Sequence, residues 1–411
     1  MPTTSQLAQL PSSACPSLAG WLDGPHSNRR GEAFSANPST PHALTVTQKP
    51  EPLVSRRLFP ARTAATHTLS PSHFPDPTNA AQGSSSPPPH PATLTDAMAT
   101  LTVPSSVPAV AEDCEQLHKA FEGWGTNEKL IISILAHRNA AQRRAIRRGY
   151  AEAYGKELLR ALGDEIHGKF ERAVILWTLD PAERDAVLAN EEAKKSHPGG
   201  RALVEIACAR TPAQLFAVKQ AYHDRFKRSL EEDVAAHVTG DFRKLLVPLV
   251  SAYRYDGPEV NTSLAHSEAK ILHEKIHKKA YSDEEIIRIL TTRSKAQLLA
   301  TFNSYKDQFT HAINKDLKAD PKDEFLSTLR AIIRCFTCPD RYFEKVIRLA
   351  LGGMGTDEDD LTRVVTTRAE VDLKLIKEAY QKRNSVPLER AVAKDTTRDY
   401  EDIMLALLGA E

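Results

Sequence analysis

The chain has 411 residues and carries 54 Lys and Arg against 53 Asp and Glu, for a formal net charge of +1. No apolar run in the sequence approaches the length that a membrane-spanning helix needs, and the balanced charge provides no long-range attraction to nucleic acid or to an anionic membrane. We therefore expect no nucleic-acid partner, and any binding to a phosphate-rich surface has to rely on a bridging metal ion.

The five cysteines are an odd number without a dense framework, a pattern typical of the reducing cytosol.

The first 97 residues hold 16 of the 26 prolines together with Ser/Thr-rich runs. Such a segment has too few periodic apolar residues to offset its ordering entropy, so residues 1–97 are predicted to be a disordered Pro/Ser-rich extension. No apolar stretch follows a basic start, which argues against a secretory signal. A transit peptide and a natural start at Met98 are alternative interpretations.

Two Gly-x-Gly-Thr tetrapeptides follow, Gly123-Trp124-Gly125-Thr126 and Gly353-Met354-Gly355-Thr356, and a carboxylate stands 39 residues after each Thr, at Glu165 and Asp395. Glycines let a loop turn its carbonyl oxygens toward one point. Ca²⁺ takes about six to eight oxygen ligands, so such a loop with one remote carboxylate fills only part of its shell. The pattern predicts a Ca²⁺ site that is left open toward water or the phosphate oxygens of a partner.

Several residues predict helix boundaries. Thr126 and Thr356 are expected to be the N-caps of helices that begin at Asn127 and Asp357. The segment Ser282–Glu285 has the pattern of a capping box. Four prolines stand where helices should start or stop; these are Pro181, Pro212, Pro321 and Pro339.

A fourfold internal repeat runs through the rest of the chain. An Arg recurs at intervals of 72, 83 and 75 residues, with a Tyr 12 residues after it and a Phe or Tyr 32 residues after it. Positions 7, 4 and 3 residues before each Arg are apolar, which is the spacing of one buried helix face. We therefore predict four all-helical units. The marker residues are Arg138, Arg210, Arg293 and Arg368.

With its two Gly-x-Gly-Thr loops, their distant acids and the four units, the sequence over residues 98–411 resembles the annexin family, and in particular the short plant annexins. The resemblance implies an all-α fold in which four repeats of five helices form a slightly curved disc. We place these repeats at residues 98–173, 174–255, 256–336 and 337–411. The convex face of the disc would carry Ca²⁺ loops that dock on anionic phospholipid.

The resemblance also implies the Ca²⁺ ligands. In the first repeat they are the carbonyls of Phe121, Gly123 and Gly125 with the Glu165 carboxylate, and in the fourth those of Leu351, Gly353 and Gly355 with Asp395. The acid position holds His237 in the second repeat, and imidazole is a poor partner for Ca²⁺. The third repeat keeps Asp320 but has Lys279-Ala280-Tyr281-Ser282 as its loop. We therefore expect sites in repeats 1 and 4 alone.

Trp124 and Met354 occupy the loop tips and are expected to contact the membrane, because Trp is favoured at the membrane–water interface. The alternative is that Trp124 packs on its own repeat. The expected function is Ca²⁺-dependent binding of acidic phospholipids by a non-enzymatic cytoplasmic protein that becomes peripheral at membranes when Ca²⁺ rises. Plant members are also associated with stress responses.

Other activities proposed for plant annexins remain as alternatives. They are a peroxidase at His137, a nucleotide phosphatase, a Ca²⁺-permeable conductance, actin binding through Ile287-Arg288-Ile289, and redox chemistry at Cys208 and Cys335. The GTP-binding element D-x-x-G proposed for the family would fall at Asp395–Arg398, where Arg398 replaces its glycine. Haem ligation needs a large apolar pocket with distal groups, which no spacing here indicates. The sequence has no G-x-x-x-x-G-K-[ST] phosphate loop. Ile289 of the actin motif and the neighbouring Ile286 are expected to serve the core stripe, and a free Cys in an apolar helix behaves as a small hydrophobe.

Overall fold

The computed structural model describes residues 97–122, 125–195, 199–251, 253–353 and 355–410. The prediction for residues 1–96 therefore lies outside the described residues. From Val110 onward the described chain forms twenty helices in four sets of five, and its only extended pairing is one isolated bridge. The predicted all-α fold of four five-helix repeats is confirmed.

The helices have the following bounds. Repeat 1 comprises α1 Val110–Ala120, α2 Glu128–Leu135, α3 Ala140–Tyr154, α4 Leu158–Glu165 and α5 Gly168–Thr178. Repeat 2 comprises α6 Pro181–Ala193, α7 Arg201–Ala209, α8 Pro212–Phe226, α9 Leu230–His237 and α10 Gly240–Ser251. Repeat 3 comprises α11 Thr262–His277, α12 Glu284–Thr292, α13 Lys295–Phe309, α14 Ile313–Asp316 and α15 Glu324–Thr337. Repeat 4 comprises α16 Pro339–Leu351, α17 Glu358–Arg368, α18 Leu373–Asn384, α19 Leu388–Asp395 and α20 Arg398–Leu407.

Local sequence explains most of these bounds. Pro181, Pro212 and Pro339 each occupy the first position of a helix, where the missing N–H costs nothing. Pro321 lies between α14 and α15. Helix α5 runs to Thr178 and so crosses the position at which we placed the boundary between the first two repeats.

The repeated Arg residues join the second helix of a repeat to the first. In repeat 1, the Arg138 guanidinium donates to both carboxylate oxygens of Asp113 at 2.8 and 2.7 Å, and both side chains are buried. The same sequence offset of 25 residues pairs Arg210 with Asp185 and Arg293 with Glu268. In repeat 4 that position is an aromatic residue, and Arg368 instead stacks on Phe343 and pairs with Asp372.

The repeats pack in two pairs within the described body. Helices α17 and α20 of repeat 4 contact α5 of repeat 1, and α15 of repeat 3 contacts α7 of repeat 2. The segment before α1 also contacts repeat 4. The amide of Thr100 donates to the Ala369 carbonyl at 2.9 Å, and its hydroxyl donates to the Leu407 carbonyl at 2.6 Å. Apolar residues on the facing stripes form one continuous core.

Candidate calcium sites

The loop between the first two helices is closed in the same way in repeats 1 and 4. In repeat 1 the amide of Asn127 donates to the Ala120 carbonyl at 2.9 Å. In repeat 4 the amide of Asp357 donates to the Ala350 carbonyl at 2.8 Å. Each bond joins the end of the first helix to the residue that caps the second, so the two ends of each loop are held together.

Backbone conformation explains the second glycine of each loop. Gly125 has φ +97° and Gly355 has φ +102°, values that residues with a Cβ rarely adopt. In repeat 4, Gly353 and Gly355 form an isolated antiparallel bridge across the loop tip. A Cβ on Gly353 would lie 3.2 Å from the Gly355 carbonyl oxygen, so the turn is tight as well as left-handed.

The two Thr residues connect each loop to its distant acid. The hydroxyl of Thr126 donates to the backbone carbonyl of Glu165 at 3.1 Å, and that of Thr356 donates to the carbonyl of Asp395 at 2.7 Å. Two segments that are 39 residues apart are thereby fixed beside each other in both repeats. This role of the Thr residues was not predicted, although the constant 39-residue offset between Thr and acid is a sequence signal that could have indicated it.

The predicted N-cap role of these Thr residues is wrong. The cap of α2 is Asn127, whose side chain accepts from the Leu130 amide, and the cap of α17 is Asp357, which accepts from the Asp360 amide. Both helices therefore begin one residue later than predicted. Asn and Asp cap more strongly than Thr, which leaves each Thr hydroxyl free to bond across the fold.

The carboxylates themselves lie at the surface of the described body. Glu165 is half-buried and Asp395 is exposed. Beneath the first loop the ring of Phe121 meets Tyr150 edge-on, with centroids 6.1 Å apart. Burial raises the pKa of Tyr150 to about 12, and the Glu165 charge adds to this, so the phenol stays protonated at neutral pH. The aromatic side chain packed against Phe121 is therefore uncharged at neutral pH.

Repeats 2 and 3 are built differently at these positions. His237 lies at the end of α9 and its Nδ1 bonds to the Asp233 carbonyl at 2.8 Å, an arrangement that makes Nδ1 the protonated nitrogen. In repeat 3 the loop turns tightly at Lys279, whose φ is +56°, and the Lys275 ammonium lies 2.7 Å from the Asp283 carboxylate. The Asp320 carboxylate bonds to the nearby Lys322 amide at 2.9 Å.

The predicted ligands that the structure describes are Phe121, Gly125, Glu165, Leu351, Gly353, Gly355 and Asp395. Three further predicted residues, Gly123, Trp124 and Met354, lie outside the described residues. In repeats 1 and 4 these predicted ligands come from the end of the first helix and the loop after it, and from the end of the fourth helix. Carbonyl and carboxylate oxygens are the donors that hard cations prefer.

Comparison with known proteins identifies the family of this chain. The family model described as Annexin matches residues 112–177, 185–249, 267–332 and 342–407. Annexin Gh1 of Gossypium hirsutum is 64% identical over 311 residues, which cover 76% of this chain and 99% of the relative. The chain belongs to the annexin family. Membership supports the expected Ca²⁺ cofactor and, in general terms, Ca²⁺-dependent binding of phospholipid.

Two solved annexin structures share the fold. The structure of annexin III has a TM-score of 0.71 at 32% identity and covers 77% of this chain and 99% of its own. The structure of calcium-bound annexin (Sm)1 has a TM-score of 0.64 at 27% identity and covers 73% of this chain and 90% of its own. Among the helices that the structure describes, none is both long enough and apolar enough to cross a bilayer.

The residues behind the alternative activities have structural partners. The Nδ1 of His137 lies 3.0 Å from the Thr102 carbonyl. Ile287 and Ile289 are buried in the core, so only Arg288 of that motif reaches the surface, where it pairs with Glu285. Cys208 and Cys335 are free and buried, and burial raises the pKa of Cys208 to about 12, which favours the unreactive thiol.

Proposed function

We propose that this annexin binds acidic phospholipid membranes through two Ca²⁺ sites, one in repeat 1 and one in repeat 4. The observation that supports this most is the shared construction of the two loops. Both have a glycine at φ near +100°, the same backbone closure and a Thr hydroxyl bonded to the acid-bearing residue. Repeats 2 and 3 have His237 and a lysine-bearing tight turn at the corresponding places.

In repeat 1 the carbonyls of Phe121, Gly123 and Gly125 and the Glu165 carboxylate would hold the ion. Leu351, Gly353, Gly355 and Asp395 would do so in repeat 4. When bound, Ca²⁺ supplies a positive charge with coordination positions left for the phosphate oxygens of a lipid headgroup. The loop carbonyls would bind and orient the ion, and the carboxylate of each site would balance part of its charge.

Two consequences follow from such shared coordination. Lipid raises the affinity for Ca²⁺ by the same factor by which Ca²⁺ raises the affinity for lipid, because the coupling free energy is reciprocal. Two sites on one protein also add avidity, since the second contact forms within an already bound complex. We therefore propose a cytoplasmic protein that becomes peripheral at the membrane when Ca²⁺ rises.

The proposal is tested by sedimentation of the full chain with phosphatidylserine vesicles over a series of free Ca²⁺ concentrations. We expect the protein to pellet with the vesicles in Ca²⁺ and to return to the supernatant on addition of a chelator. Phosphatidylcholine vesicles, which carry no net charge, are the control for lipid charge. Binding that persists in chelator would contradict the proposal.

A second prediction concerns the loop tip of repeat 1. Trp124→Ala should weaken binding to phosphatidylserine vesicles several-fold while leaving the far-UV circular dichroism spectrum and the melting temperature unchanged, because an indole at headgroup depth contributes on the order of 1 kcal/mol or more to partitioning. Trp177→Phe is the matched control, since Trp177 is fully buried in repeat 1 and bonds to the Leu135 carbonyl. That variant should lose stability but keep its vesicle affinity. Equal vesicle binding by Trp124→Ala and the unmodified chain would argue against insertion.

A further inference from the structure

Repeat 3, which lacks the glycine loop, contains a different cluster of potential ligands. His273 and His277 lie four residues apart on α11 and so share one helix face. Asp316 approaches them from the end of α14. One ligand atom from each of the three residues lies within 4.8 Å of the other two. Two imidazoles and a carboxylate therefore converge on one small volume.

Surrounding contacts orient these side chains. The Asp316 Oδ1 lies 2.7 Å from Nε2 of His311, and its Oδ2 accepts a hydrogen bond from the Tyr305 hydroxyl. The His273 ring stacks on Phe309 with centroids 3.6 Å apart and planes at 4°. Its Nδ1 lies 3.0 Å from the Tyr305 hydroxyl and 3.9 Å from Asp316 Oδ2. In protein metal sites, the ligating imidazoles and carboxylates are usually oriented by hydrogen bonds to further groups of this kind.

The other repeats provide an internal comparison at the same sequence offsets. Measured from the repeated Tyr, the three positions are His118, Glu122 and Ala161 in repeat 1, Asn190, Lys194 and Asp233 in repeat 2, and Arg348, Gly352 and Ala391 in repeat 4. His118 in repeat 1 also bonds to its Tyr, with Nδ1 3.2 Å from the Tyr150 hydroxyl. Only repeat 3 combines two imidazoles with a carboxylate at these positions.

We propose that His273, His277 and Asp316 form a binding site for a divalent transition metal of the zinc class. Imidazole nitrogen suits Zn²⁺ and its neighbours in the first transition series, whereas Ca²⁺ prefers oxygen, so this site is chemically distinct from the loops of repeats 1 and 4. Zinc bonds of about 2.0–2.1 Å bring tetrahedral ligands to within about 3.5 Å of one another. Modest rotation of the exposed His277 side chain would close the remaining gap, with water as a fourth ligand.

Metal binding here would join α11 to α14. Helix α14 has four residues, and α12 and α13 lie between it and α11 in the sequence. A metal ion bound by ligands from both α11 and α14 should therefore also stabilise repeat 3.

The test is a titration of the full chain with zinc chloride by isothermal calorimetry, in excess Ca²⁺ so that the calcium loops are occupied. We expect one binding event per chain, weakened at least tenfold by His277→Gln. His277 is exposed, so this variant should remain folded. Two controls are His266→Gln, an exposed residue about three turns earlier on α11, and His118→Gln, at the position of repeat 1 that corresponds to His273. Both should bind zinc as the unmodified chain does.

A spectroscopic measurement separates this site from general histidine binding. Co²⁺ in place of zinc should give visible absorption bands of a low-coordinate nitrogen–oxygen site in the unmodified chain, and these bands should be absent from His277→Gln. No zinc binding, or equal weakening by His266→Gln and His277→Gln, would overturn the proposal. Ca²⁺-dependent sedimentation with vesicles should be unchanged in His277→Gln, so failure of the zinc site is distinguishable from failure of the calcium sites.

Discussion

The double variant Glu165→Gln, Asp395→Asn should lose Ca²⁺-dependent sedimentation with phosphatidylserine vesicles. Each substitution keeps the shape of the side chain and removes the single charged oxygen ligand that its site draws from the distant helix end. Loss of such a ligand from one site should raise the Ca²⁺ concentration for half-maximal binding by on the order of tenfold. With both sites weakened the avidity also disappears, and the shift should reach on the order of a hundredfold or more.

The architecture suggests two controls for this experiment. Asp320→Asn changes the corresponding acid of repeat 3, where the loop turns tightly at Lys279. This variant should leave the Ca²⁺ concentration for half-maximal vesicle binding unchanged. The hydrogen bonds from Thr126 and Thr356 reach backbone carbonyls, so the double variant keeps them and should melt as the unmodified chain does. Full sedimentation of a folded double variant at unchanged Ca²⁺ would show that the acids are not ligands.

The second large effect concerns stability. Asp113→Ala should lower the free energy of unfolding by about 3–5 kcal/mol, because it leaves the Arg138 guanidinium buried without its partner. The side chains of this pair are only 4% and 5% exposed, and both Arg138–Asp113 hydrogen bonds are short. Urea denaturation followed by far-UV circular dichroism gives the difference.

Two comparisons identify the cause of that loss. Glu115→Ala removes an exposed pair with Lys119 on the same helix and should change the free energy of unfolding by less than about 1 kcal/mol. The double change Asp113→Leu, Arg138→Met removes both charges and should recover much of the stability, because replacing a whole buried pair by apolar groups is often close to neutral. A loss in Asp113→Ala no larger than that in Glu115→Ala would contradict the assignment of the pair as a structural link.

Local sequence patterns determined the repeat and the helices of this protein. Apolar residues lie 7, 4 and 3 positions before each repeated Arg. This spacing predicts a buried helix face because it follows directly from the period of the helix. The prolines at positions 181, 212 and 339 act within one turn of their own helix, and their effect was predictable for the same reason. Both glycine loops and their distant acids were visible because they recur at one spacing.

Contacts between distant segments were decided by the tertiary structure. The sequence marked each Arg as a repeated residue, but only the fold shows that Arg138 pairs with Asp113 whereas Arg368 stacks on Phe343. The predicted cap at Thr126 is wrong because Asn127 is the better cap, and the Thr126 hydroxyl bonds to the Glu165 carbonyl instead. The approach of Asp316 to His273 and His277 likewise has no local signal beyond the four-residue spacing of the two histidines. Periodicity records what a residue does within its own helix, whereas the partner of a polar side chain is set by which segments the packed core brings together.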